Sequence, residues 1–144
     1  MGHMDKFKNK ETFLLLCEAG FIAVNQMDED SARKLFAASE LLDPENTLPK
    51  IGMGYMYLCK LQLKQAAESF SRVLEINPHD EMAKAFLGLS TSLSPDSITK
   101  GEKLLAESAS TAKDPSVKKM ASSALEFVDK FIKKAPSPMQ SQKK

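Results

Sequence analysis

Apolar residues recur along the chain at helical spacing, in blocks separated by short polar or proline-bearing breaks. The first block predicts a helix from about Lys10 to Gln26, with Phe13, Leu14, Leu16, Cys17, Phe21, Ile22 and Val24 covering more than one face. Asp28, Asp30 and Ser31 supply cap candidates and acidic first-turn residues for a second helix ending at Leu42, before Asp43-Pro44. A third helix is expected from near Thr47 to Cys59, and a fourth from Leu63 or Lys64 to Ile76, where Asn77-Pro78 stops it. Asp80 caps a fifth, Glu81 to about Leu93. A sixth is expected to open at Ser94-Pro95-Asp96 and stop before Asp114. Pro115 starts a last helix to about Lys134, with Val117, Met120, Ala121, Ala124, Phe127, Val128, Phe131 and Ile132 along one side.

A second rhythm lies over the first. Gly20, Ala23, Ala32, Phe36 and Pro44 recur 34 residues on as Gly54, Tyr57, Ala66, Phe70 and Pro78, and Gly54 recurs as Gly88. Small, small, aromatic and proline anchors at that period describe a repeating helix-turn-helix unit. The glycine permits a close contact between the two helices, the alanine lets the second approach, and phenylalanine fills the space beneath. The third unit departs from the pattern. Counting onward from Ala66, Phe70 and Pro78 gives Lys100, Leu104 and Ala112, of which only Leu104 keeps the chemistry. Composition agrees: 42% apolar residues can build one core, and only 6 Gly, 7 Pro and no Trp suit a helical array better than a sheet protein.

These anchors resemble tetratricopeptide repeats, clearly over residues 13–93. The resemblance implies an all-α fold of three helix-turn-helix repeats, at about 13–46, 47–80 and a degenerate 81–113, stacked as a short right-handed solenoid within a single domain, 5–134. The helix over 115–134 would cap the stack. In that family the first helix of each repeat lines a concave groove through its second, fifth, ninth and twelfth places. Those places fall here on Leu14, Cys17, Phe21 and Val24; on Leu48, Ile51, Tyr55 and Leu58; and on Met82, Ala85, Leu89 and Ser92. All but Ser92 are apolar or aromatic. The same helices must also pack backwards through Leu16, Ala19, Met53, Tyr57 and Leu87, so they need burial on both sides. The groove therefore holds a partner's hydrophobic segment, receives the chain's own terminal helix, or closes in a homodimer.

Tetratricopeptide domains that grip a C-terminal carboxylate use Lys, Asn and Arg where this chain has Cys17, Phe21, Gly52, Met82 and Phe86. None of these side chains offers the charged or amide donors a carboxylate needs. An apolar guest is the natural alternative. A short three-repeat chain with an apolar groove is similar to the small tetratricopeptide chaperones of bacterial type III secretion systems. That resemblance implies a non-catalytic chaperone that keeps an aggregation-prone export substrate soluble. The needle-subunit class would hold an amphipathic helix, with a second small co-chaperone; the translocator class would hold an extended segment. The shortness of the chain favours the needle class. The rival reading is a general scaffold with a self-filled or dimer-filled groove.

Nothing in the sequence points to an enzyme or a cofactor. His79 follows the loop residue Pro78 and reads as an exposed turn residue. Cys17 and Cys59 form no CxxC and read as packing residues of a reduced, cytoplasmic protein. Asp28, Glu29 and Asp30 are explained by a helix start, without the spacing of a calcium loop. Gly52 and Gly54 resemble part of a GxG, but Gly54 already has a packing role. A net charge of +1 implies no general attraction to nucleic acid, and Phe13 to Val24 is too short and interrupted to insert in a membrane. From Pro115 onward seven lysines face two acids, a local +5 that reads as a solvated end. Residues 1–4, Met-Gly-His-Met, look like an expression remnant, and 135–144 read as a disordered tail.

Overall fold

The structure, a computed structural model, describes the backbone of residues 3–133 and the side chains of residues 9–133. The remnant expected at residues 1–4 lies partly, and the tail expected at 135–144 wholly, outside the described residues. The rest is all-α: α1 (His3–Asn25), α2 (Glu29–Leu42), α3 (Leu48–Cys59), α4 (Leu63–Ile76), α5 (Glu81–Ser92), α6 (Ile98–Thr111) and α7 (Pro115–Phe127). A wide π-helical stretch, Val128–Lys133, continues α7.

The helix ends follow from local chemistry. Asp28 accepts from the Ser31 N–H at 3.1 Å and opens α2 with Glu29 and Asp30 in its first turn. Pro49 sits in the first turn of α3 and Pro115 in that of α7, where a missing N–H costs nothing. The helix expected from Ser94-Pro95-Asp96 starts later, at Ile98 with Ser97 as its cap residue. Ser94 is instead drawn into the end of α5, its Oγ donating to the Ser90 carbonyl at 3.1 Å, so Pro95 and Asp96 form the turn.

Each helix packs on its neighbours in the chain: α1 on α2, α3 on α4, α5 on α6, and the second helix of each pair on the first of the next. α1, α3, α5 and α7 also touch in succession. The 34-residue anchors occupy equivalent sites in this packing. Ala32 and Ala66 are both fully buried, as are Phe36 and Phe70. Gly20 lies against the ring of Phe36, and Gly54 against that of Phe70, so closely that a Cβ on either would stand 2.5 to 2.6 Å from a ring carbon. Phe36 is covered on its other side by Gly52, while Phe70 is covered by the stacked ring of Phe86 at 5.3 Å. In the third pair Leu105, fully buried, stands against Gly88 where the others use phenylalanine.

α7 and the first residue after it spend Val117, Ala121, Ala124 and Val128 on α5, on α6 and on the residue that ends α6, against Ala85, Leu105 and Ala112. Phe127 and Phe131, expected on that packed side, are instead 45% and 61% exposed and pair with each other at 5.1 Å. The loops before α3 and α5 are tied by Thr47 Oγ1 donating to Asp80 Oδ2 at 3.3 Å. Asp80 also caps α5, its Oδ1 accepting from the Ala83 N–H at 2.9 Å. Replacing it (Asp80→Ala) therefore removes a cap and an inter-loop bond, and should cost about 1 to 2 kcal/mol in urea unfolding, against about 1 for a cap alone.

Candidate functional site

α1, α3 and α5 stand side by side, and an aromatic row crosses them. Phe21 of α1 meets Tyr55 of α3 at 5.8 Å between ring centroids, and Tyr55 meets Phe86 of α5 at 5.9 Å. Each end of the row is anchored in the core: Phe21 sits edge-on to Phe36 at 5.3 Å, and Phe86 stacks on Phe70. Five rings thus run without a break, the outer two buried and the middle three half-buried. Phe21 and Tyr55 are 34 residues apart, so the repeat itself places them in line. The Tyr55 hydroxyl donates to Asn25 Oδ1 at 2.7 Å, pinning the central ring to the end of α1. Partial burial pushes its pKa up, and a hydrogen bond with Cys59 adds to the effect.

The structure divides the eleven groove residues expected from the repeat places. Cys17, Val24, Ile51, Leu58 and Ala85 are buried and present no surface to a partner. Ile51 and Leu58 belong to the core shared by α3, α4 and α5, Val24 to that of α1, α2 and α3, and Ala85 is covered by Ala112 and Val117. The reason is physical: the first helix of each pair contacts its equivalents on either side as well as its own partner, so part of its inner face becomes interface. Leu14 at 49% and Met82 at 37% are open to solvent, and Phe21, Leu48, Tyr55 and Leu89 are half-buried. Of the expected groove residues these six keep accessible surface, and Phe86 does so beside them in the aromatic row.

Phe86 carries the row to α5, although the repeat places pass it over. Its counterpart one repeat earlier is Gly52, and that comparison hid an aromatic whose exposure only the packing reveals.

The two cysteines differ. Burial pushes the Cys17 thiol up, and the hydrogen bond to Ser39 offsets this only in part, so it is a packing group. Cys59, expected to pack, is exposed at the last residue of α3. Among the described residues no group of three or more His, Cys, Asp and Glu is placed to hold a metal ion. Among them also, no helix is long and apolar enough to cross a membrane. Comparison of the chain with protein-family models, curated proteins and solved structures finds no match.

Proposed function

We propose that the chain is a tetratricopeptide-type array that binds an apolar helix of another protein across the Phe21, Tyr55 and Phe86 row, with Leu14, Leu48, Met82 and Leu89 around it. The observation that carries this reading is the row itself. Three neighbouring rings, on the first helices of three successive pairs, are left half-open, although a stable core would gain by closing over them. Rigid aromatic side chains give large contact area at small entropic cost, which is what a binding face requires. The chemistry of the face is apolar with a single hydroxyl, and it suits the hydrophobic stripe of an amphipathic helix.

Within that reading the resemblance to small type III secretion chaperones supplies the occupant: the helix of an aggregation-prone needle subunit, shielded in the cytoplasm before export. Burial of ~500 Å² of apolar guest surface is worth on the order of 10 kcal/mol gross. Ordering and association costs remove much of it, leaving micromolar to nanomolar affinity. That range suppresses polymerisation and still permits release.

The test is co-purification from the native host with identification by mass spectrometry. A small secreted helical protein should accompany the wild-type chain and be lost with Tyr55→Glu, an affinity loss of at least ~100-fold, while the helical circular dichroism persists. A guest indifferent to Tyr55→Glu and Phe21→Glu would place its binding elsewhere.

A further inference from the structure

α1 and α3 end in the same turn. In the first, the Met27 N–H donates to the Val24 carbonyl and the Asp28 N–H to the Ala23 carbonyl, both at 2.9 Å. In the second, Leu61 N–H donates to Leu58 and Gln62 N–H to Tyr57, again both at 2.9 Å. This paired pattern closes a helix through one residue in the left-handed region, where glycine is the usual occupant. Here that residue is Met27, with φ 61°, and Leu61, with φ 58°. Both are also among the most exposed large apolar residues described, at 91% and 72%. Two large apolar residues thus sit at equivalent positions where neither the backbone nor the core asks for them.

What surrounds them is equally ordered. Beside Met27 lies a pocket of about 160 Å³, walled by Val24, Met27, Met56 and Cys59 and edged by the Glu29–Lys60 ion pair. Three residues after each left-handed position come Asp30 and Lys64, again equivalent in the repeat, exposed, and opposite in charge. Asp30 pairs with Lys34 across a well-solvated helix face, an interaction worth little.

The geometry points to a second copy of this chain as the occupant of this edge. A two-fold axis between the two turns sets the first repeat of one copy against the second repeat of the other. Met27 then meets the partner's Leu61, which enters the pocket, and Asp30 meets the partner's Lys64. Each contact occurs twice, as an isologous interface requires. An edge of two turns is small, so the dimer is weak, with a dissociation constant on the order of 100 µM.

Sedimentation velocity of the full chain from low micromolar to millimolar concentration tests this. The wild type should pass from monomer to dimer, and the double variant Met27→Gly with Leu61→Gly should stay monomeric throughout. At low micromolar concentration that variant should melt no lower than wild type, because glycine relieves both left-handed residues. Asp30→Lys alone and Lys64→Asp alone should each weaken the dimer about tenfold or more, since each acts twice. Combined, they should restore it to within about threefold of wild type. A wild type monomeric at every concentration overturns the proposal. So does a dimer that survives the glycine variant, which would locate the contact elsewhere, for example on the exposed Leu15 and Ile22 of α1. A fall in melting temperature in the glycine variant would make the two residues structural and overturn it as well.

Discussion

Phe70→Ala should lower the unfolding free energy by about 3 to 5 kcal/mol, the range for removing a fully buried aromatic ring. The site argues for the upper part of that range. Phe70 is 0% exposed and joins two layers of the fold at once. On one side it fills the hollow left by Gly54 within the α3/α4 pair, and on the other it stacks on Phe86 of α5. Ile51, Leu58, Ala66, Val73 and Ala83 complete its cage. The backbones around it are helices held by their own hydrogen bonds, so they collapse into the hole only in part. The loss should be read by urea unfolding monitored by circular dichroism. A second consequence is local: Phe86 loses its stacking partner, and with it the end of the aromatic row. Phe70→Leu, which refills part of the volume, should recover roughly half of the lost stability. A cost below about 1 kcal/mol for Phe70→Ala would mean that α4 and α5 are not packed as described.

Gly101→Ala should destabilise by about 3 kcal/mol, and the sign is the informative part. In an unobstructed helix interior the same change stabilises by about 1 kcal/mol, because alanine surrenders less backbone entropy. In α6 a Cβ at this position would lie 2.2 Å from the Ser92 nitrogen, 2.5 Å from its Cα and 2.6 Å from the Gly88 carbonyl oxygen. All three are backbone atoms of α5, so no rotamer change relieves the overlap and the two helices must move apart. Gly52 offers the contrast, since the nearest atoms to a Cβ there, from 2.3 Å, belong to the side-chain ring of Phe36 and not to a helix backbone. Gly52→Ala should therefore cost less than Gly101→Ala in the same denaturation experiment, although its nominal overlap is similar. Overpacking costs of this kind fall at 1 to 3 kcal/mol and exceed that when backbones collide.

The sequence disclosed the scaffold through residues whose role depends on one neighbour. Gly20 with Phe36, and Gly54 with Phe70, each form a small-against-large contact inside one helix pair, and such a contact leaves a fixed signature at a fixed spacing. The left-handed turn residues and the later start of α6 left no such signature, since Pro95 is as acceptable in a turn as in a first helical turn. The accessible face was only half legible. Residue places along a helix define a direction, but whether Ile51 or Ala85 is open depends on how closely α5 and α7 approach, a distance set by many side chains together. Cys59 was misplaced for a related reason: it ends its helix, where the apolar neighbours in sequence no longer enclose it. Phe131 failed through geometry, because the wide turns from Val128 break the regular angular step on which its expected burial rested, while Phe127, still in the regular helix, lies beside the stripe that Val117, Ala121, Ala124 and Val128 bury.

Packing that links each helix chiefly to those just before and after it also shapes how the protein comes into being. Contacts close in sequence are reached with little loop-closure entropy, which favours fast folding. Translation delivers about 5 to 20 residues per second, far slower than helices dock. The helices that carry Phe21, Tyr55 and Phe86 have all emerged once α5 has left the ribosome, with α6 and α7 following behind them. The aromatic face can thus form before the helices that follow it have docked.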